Sequence, residues 1–185
     1  HAQCMQYPVP FAERARGAEV IVEGKILSHR SFAAGSERMI YTEYTAEITK
    51  IFKGLAQSPK FVTITVEGGV VGNEAVRVTP DVKFSDGETG MFFLQSHTKN
   101  GDFTGYEPYA WEQCIVRYDE NGRVGDIFKT YTHIPVLYSA LARLLGNSYR
   151  EIQPLVLPNS KSTSKPKSKG EKTLAAAITN FTPAT

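Results

Sequence analysis

Cysteine is scarce in this 185-residue sequence, which contains only Cys4 and Cys114. The two cysteines stand 110 positions apart, with neither a CxxC motif nor a histidine at ligand spacing, which disfavours a zinc site or a redox motif. An isolated pair of this kind predicts a disulfide bond that ties the N-terminus to a late strand, and therefore an oxidising compartment. Two unrelated buried thiols are the alternative.

Long apolar runs and catalytic motifs are missing as well. No stretch of 18 apolar residues occurs, so the sequence predicts no membrane span. There is no HExxH motif, and the four histidines (His1, His29, His97 and His133) are scattered without a carboxylate or cysteine at ligand spacing. We therefore predict no catalytic residues, no metal site and no cofactor.

Most of the chain carries no net positive charge. The net charge is +2, but residues 158–172 alone carry five lysines and one glutamate, which leaves −2 for the rest. A nucleic-acid partner is disfavoured, because such binders concentrate basic residues on the folded domain. Residues 158–172 have no apolar side chain and are rich in Ser, Lys and Pro, so they are predicted to be a solvated linker.

Alternating β-branched and aromatic residues dominate the remaining sequence. The longest such stretch, residues 37–54, predicts a strand long enough to curl around a barrel or sandwich. The first three strands alternate apolar and polar residues, which predicts one buried and one wet face for each. The predicted strands cover residues 19–29, 37–54, 61–67, 74–79, 89–95, 103–109, 111–118 and 124–128.

The segments between and around these strands complete the predicted fold. Residues 30–36 are predicted to form a loop, and Gly24 to mark a bend or bulge in the first strand. A short helix is predicted over residues 8–18, and an amphipathic helix over residues 135–145 ending at Gly146. The fold class is therefore mainly β, an antiparallel barrel with an N-terminal short helix and a C-terminal amphipathic helix.

Residues 4–95 resemble a netrin-like domain, the OB-type barrel shared by tissue inhibitors of metalloproteinases, netrins and complement proteins. The resemblance is carried by AEVIVEGKI at residues 18–26, YTAEITKIFKG at 44–54 and GETGMFFLQ at 87–95. It implies a netrin-like barrel over residues 1–157. Inhibition of a metalloprotease is one function it suggests, although Cys4 has three residues before it, so its amine is not free to bind zinc.

The last residues, AITNFTPAT at 177–185, resemble the opening strand of an IPT/TIG immunoglobulin-like domain. This implies that residues 173–185 begin a second domain after the linker, as in exported multidomain proteins of the Bacteroidetes type that use type IX secretion. The absence of an initiator methionine fits a trimmed export product. We expect a secreted or cell-surface protein whose partners include downstream domains of the same polypeptide.

One group of aromatic residues is a candidate for ligand binding. Tyr106, Tyr109 and Trp111 lie in GYEPYAWEQC and could form an aromatic platform for bases or sugars; alternatively, Trp111 belongs to the core and Tyr106 and Tyr109 are half-buried strand residues. An N-terminal His1 could instead bind copper with a second histidine, as in a copper-dependent enzyme. The sequence favours a non-catalytic N-terminal binding or spacer module that binds a protein or glycan.

Overall fold

A computed structural model describes residues 7–35, 38–79, 81–96, 105–125 and 131–158, and these form a mainly β structure, as predicted. Two helices flank the strands, and a 3₁₀ helix spans Trp111–Cys114. The helices are α1 (Phe11–Gly17) and α2 (Ile134–Leu145). The strands are β1 (Val20–Ala34), β2 (Met39–Lys53), β3 (Phe61–Glu67), β4 (Gly69–Val71), β5 (Glu74–Val76), β6 (Thr89–Ser96), β7 (Tyr106–Pro108), β8 (Ile115–Tyr118), β9 (Val124–Gly125) and β10 (Arg150–Glu151).

Five of the strands close into a ring in the order β1, β2, β3, β7, β6 and back to β1. The pairing of β3 with β7, through Ile64 and Tyr106, is parallel, and the other four pairings of the ring are antiparallel. Strands β8 and β9 extend the sheet beyond β6, β10 pairs with β2, and β4 and β5 form a separate hairpin. The ring brings β3 and β7 together although they are far apart in the sequence.

Strands β1 and β2 are the longest elements, at 15 residues each. The register shifts between Glu23 and Gly24, which confirms the predicted bulge. A Cβ atom at Gly24 would overlap the carbonyl oxygen of Glu47, so only glycine permits this close approach. The loop predicted over residues 30–36 is wrong for Arg30–Ala34, which continues β1 because it pairs with β2 as far as Met39.

The protein buries apolar residues on both sides of the ring. Val22 faces the inner core and Ile21 the outer core, and both are completely buried. The prediction that one face of β1 is exposed to water is therefore wrong for the first half of the strand, because α1 and α2 cover that face. The inner core includes Val20, Val22, Ile26, Tyr44, Ile48, Ile64, Phe84 and Phe92, and the outer core includes Phe11, Ile21, Phe52, Phe93, Val116, Leu137 and Leu141.

Helix α2 has the predicted amphipathic pattern. Leu137 and Leu141, one turn apart, are fully buried against the outer core, whereas Val136 is half exposed. Gly146 ends the helix with φ +70°, as expected for a C-terminal glycine. Neither helix of the described chain is long and apolar enough to cross a membrane. The predicted linker after Pro158 and the predicted second domain at 173–185 lie outside the described residues.

Candidate functional site

A cavity of about 220 Å³ opens where β2, β3, β6 and β7 meet the 3₁₀ helix. We name it the Trp111 cavity. Both aromatic and polar side chains line it, and Val66, Val78, Val82 and Pro108 supply apolar surface. Its chemically distinctive residues are Tyr41, Thr65, Glu67, Gln95, Glu107 and Trp111.

Trp111 is unusual in both exposure and backbone conformation. Its side chain lines the cavity, yet 55% of the residue surface is exposed, so the core alternative for Trp111 is wrong. Trp111 has φ +52° and the preceding Ala110 has φ +65°, a left-handed conformation that costs non-glycine residues energy. This turn starts the 3₁₀ helix, so the strand predicted over 111–118 is wrong for its first four residues and begins only at Ile115.

Tyr41 is a second aromatic residue in the wall of the cavity. Its ring stacks on Phe32 of the neighbouring strand, with ring centroids 6.1 Å apart and planes inclined by 30°. The guanidinium of Arg30 lies 5.6 Å from the centre of the Phe32 ring and donates hydrogen bonds of 2.7 and 2.9 Å to Glu43. Tyr41 is therefore supported from behind by a layer of packed side chains.

Two polar features line the same cavity. Gln95 and Glu107 are cross-strand neighbours on β6 and β7, and the Gln95 amide donates a hydrogen bond of 2.6 Å to the Glu107 carboxylate. Thr65 is only 3% exposed, and its hydroxyl has no hydrogen-bond partner among the residues that the structure describes. Its oxygen atom is itself buried, so the hydroxyl is an unsatisfied polar group of the fold and is not exposed to a ligand in the cavity.

The structure separates the three aromatic residues that the sequence suggested. Tyr106 packs against the inner core, and Tyr109 packs in the outer core, where its ring is in contact with Gly17. Of the three, Trp111 lines the cavity. The second aromatic residue of the cavity, Tyr41, was missed because its place beside Trp111 depends on the parallel pairing of β3 with β7, which no local pattern reveals.

Cys114 is buried at the end of the 3₁₀ helix and forms no disulfide with any described residue. Its predicted partner, Cys4, lies outside the described residues, so the bridge stays a prediction. Burial raises the pKa of the Cys114 thiol to about 12, which makes it a poor nucleophile. If Cys114 is a free thiol in the folded chain, we therefore do not expect it to act as a nucleophile.

The described ranges contain no group of three or more His, Cys, Asp or Glu side chains that could hold a metal ion. His29 is exposed and lies 2.8 Å from Asp86, and His133 lies 3.0 Å from the hydroxyl of Thr132. His1, the candidate copper ligand, lies outside the described residues. Comparison of the chain with models of known protein families gave no match, and neither did comparison with curated protein sequences.

Proposed function

We propose that this chain is a non-catalytic binding module that binds a glycan in the Trp111 cavity. The exposed indole of Trp111, in a cavity that Glu67, Gln95 and Glu107 also line, is the observation that carries the proposal. A sugar ring presents an apolar face that can pack on an indole, together with hydroxyls that need polar partners. Glu67, Gln95 and Glu107 provide such partners.

An OB-type, netrin-like barrel is our proposal for the fold family. The ring order β1, β2, β3, β7, β6, with one parallel pairing, fits a five-stranded Greek-key barrel once the β4–β5 hairpin is set aside. In OB-folds, the face of the second and third strands and the adjacent loops bind oligonucleotides or oligosaccharides. The Trp111 cavity lies on β2 and β3, which supports a ligand there by analogy of fold.

The charge of the cavity favours a glycan over a nucleic acid. Glu67 and Glu107 line it, and no Lys or Arg does so among the described residues. A nucleic acid would bring phosphates next to these carboxylates, whereas binding of phosphates relies on Lys and Arg. Sugar hydroxyls are uncharged, so they form hydrogen bonds with carboxylates and amides without electrostatic repulsion.

The energetics of the Trp111 turn also support a binding role. Two successive non-glycine residues with positive φ cost of the order of 1–2 kcal/mol each. Strain of this kind is concentrated at binding and catalytic sites. Here its effect is to leave a large aromatic ring exposed at a cavity.

We extend the proposal to the cellular context of the chain. The predicted bridge, the resemblance to netrin-like domains and the IPT-like tail support a secreted or cell-surface protein with further domains downstream. A protein partner, a metalloprotease-inhibitor-like role and a copper-dependent activity are competing proposals. The last two depend on Cys4 and His1, outside the described residues.

The test is binding of the full chain to an array of neutral glycans. The affinities of the wild type and of Trp111→Ala for a glycan that binds are then compared by titration. We expect loss of stacking to weaken binding by about tenfold or more, equivalent to roughly 1.4 kcal/mol. Tyr7→Ala is the matched control, because Tyr7 is an aromatic residue that is 86% exposed and does not line the cavity. Equal affinity of the wild type and Trp111→Ala would contradict the proposal, and release of shortened sugars would contradict its non-catalytic part.

A further inference from the structure

We infer that the ligand is a chain of linked sugar units, because two further cavities adjoin the Trp111 cavity and extend it across the surface. This inference rests on the proposed glycan binding and specifies the class of glycan. A cavity of about 220 Å³ is smaller than the roughly 300–1,000 Å³ typical of sites for drug-sized ligands. It therefore accommodates one ring of a larger molecule.

The second cavity, of about 160 Å³, lies between β3 and the β4–β5 hairpin, and we name it the hairpin cavity. It shares Val66, Glu67 and Val82 with the Trp111 cavity, so the two are direct neighbours. A ligand too large for one of these spaces would contact both.

The wall of the hairpin cavity is held in place by close backbone packing. Thr42 donates a hydrogen bond of 2.7 Å to the carbonyl of Gly68 and lies 2.9 Å from the hydroxyl of Ser31. Gly69 has φ +139°, and a Cβ atom there would overlap both hydroxyl oxygens. The hairpin is therefore pressed against β1 and β2, which gives the cavity a defined shape.

A third cavity, of about 210 Å³, continues the series, and we name it the Arg117 cavity. It shares Asp81, Val82 and Lys83 with the hairpin cavity, so Val82 lines all three spaces. The chain beside Val82 is anchored by Phe84, whose buried ring packs edge-on against Tyr44 and Phe92 with centroids 5.0 and 5.6 Å away. Three adjoining spaces that share Val82 offer a linked oligosaccharide more contacts than a single sugar.

The test compares glucose, mannose and xylose with their linear oligomers of two to six units, using the full chain and calorimetric titration. We expect affinity to rise by about tenfold or more between the single sugar and the trimer of the series that binds. Ala75→Leu narrows the hairpin cavity, which Ala75 lines, without touching the Trp111 cavity, and adds no aromatic ring on which a sugar could stack. It should remove the gain with length and leave the affinity for the single sugar unchanged.

Glu74→Leu is the matched control, because Glu74 is the exposed neighbour of Ala75 on β5 and lines none of the three cavities. Ala75→Val serves as a second, smaller variant if the larger side chain destabilises the hairpin. Trp111-dependent binding that is equal for single sugars and oligomers would overturn this inference and leave the proposed function standing. Absence of binding to every sugar and oligomer would overturn both.

Discussion

Lys50 donates a hydrogen bond of 3.0 Å to Glu23, and this ion pair is almost completely buried between the ring of strands and α2. The same carboxylate accepts a hydrogen bond of 2.6 Å from Thr49 and another from the hydroxyl of Tyr138 on α2. The Lys50 ammonium also lies 5.5 Å from the centre of the Tyr138 ring. A fully partnered buried charge therefore connects α2 to β1 and β2.

Removing one member of this pair should be costly. Lys50→Met leaves a buried carboxylate without its counter-ion, which typically lowers the free energy of unfolding by about 3–5 kcal/mol. Urea unfolding measures the change. Arg30→Met is the control, because the Arg30–Glu43 pair has an Arg side chain that is 75% exposed, and its loss should cost less than about 1 kcal/mol. Similar losses in the two variants would contradict the importance of the buried pair.

The stability of the fold should decrease at alkaline pH. Burial raises the pKa of Tyr118 well above that of an ordinary tyrosine, and burial together with the hydrogen bond to Glu23 raises the pKa of Tyr138. As the pH rises above about 10, tyrosines of the unfolded chain lose protons while these two do not, and unfolding becomes more favourable. The stability that the protonated Tyr118 and Tyr138 contribute is therefore fully present below about pH 10 and is lost as the pH rises further.

In the presence of reductant, the free Cys114 thiol acts in the same direction from a lower pH, because its pKa of about 12 compares with about 8.5 for an unperturbed thiol. Urea unfolding between about pH 8 and 11 measures the combined slope. Tyr118→Phe should flatten the slope above about pH 10, whereas Tyr7→Phe, at an exposed position, should leave it unchanged. Constant stability across this range would contradict the prediction.

The left-handed turn before Trp111 predicts a stabilising substitution. Ala110 has φ +65°, a conformation that costs a non-glycine residue about 1–2 kcal/mol in the folded state. Glycine avoids this strain but gives the unfolded chain more conformational freedom, which lowers the free energy of unfolding by about 0.4–1 kcal/mol. Ala110→Gly should therefore raise the free energy of unfolding by about 0.5–1 kcal/mol. Gly146→Ala is the reverse control, because Gly146 has φ +70° and no atom within 4 Å of an added Cβ. It should be destabilising by a similar amount, and destabilisation by Ala110→Gly would contradict the strain argument.

The predicted disulfide can be tested by counting reactive thiols. Gln113 accepts a hydrogen bond of 2.7 Å from the Val9 amide and donates one of 3.0 Å to the Tyr7 carbonyl. These bonds hold residues 7–9 beside the neighbour of Cys114, and Cys4 is three residues before Tyr7, at most about 3.6 Å per residue away. Without reductant, we expect iodoacetamide to label neither cysteine, even in the unfolded chain.

Reduction should then expose both thiols and lower the free energy of unfolding by about 2–5 kcal/mol. Mass spectrometry counts the labels, and urea unfolding with and without reductant gives the stability. Cys114→Ala is the matched control, because it removes the bridge without reductant and leaves a single thiol. Labelling of both cysteines by unfolding alone would show that the bridge is absent.

Much of the strand pattern could be predicted from the sequence, because the alternation of side chains is a local property. Strand β3 begins and ends at Phe61 and Glu67 as predicted, and β2 and α2 differ from prediction by only one or two residues at their ends. The outer core could not be inferred in this way, because burial of Ile21 depends on helices that cover it from elsewhere in the chain. Local alternation cannot distinguish a wet face from a face covered by a distant helix.

The candidate site was only partly predictable for the same reason. Trp111 was singled out as an aromatic residue, but its exposure follows from positive φ angles at two residues that are not glycines, which sequence rules do not anticipate. Thr65 gave no signal, since a threonine in a strand is ordinary. It lines the cavity only because the fold brings Glu107 of β7 and Trp111 of the 3₁₀ helix to the same place.

Thr65→Val should separate stability from binding. The substitution keeps the branched shape and removes a buried hydroxyl that has no partner among the described residues, so we expect the free energy of unfolding to rise by about 1 kcal/mol. The same change should leave glycan binding unchanged, because the buried oxygen is not exposed to the cavity. Thr63→Val is the matched control, because Thr63 lies two residues earlier on β3 and does not line the Trp111 cavity. A loss of stability, or weaker binding of a glycan, would contradict the prediction.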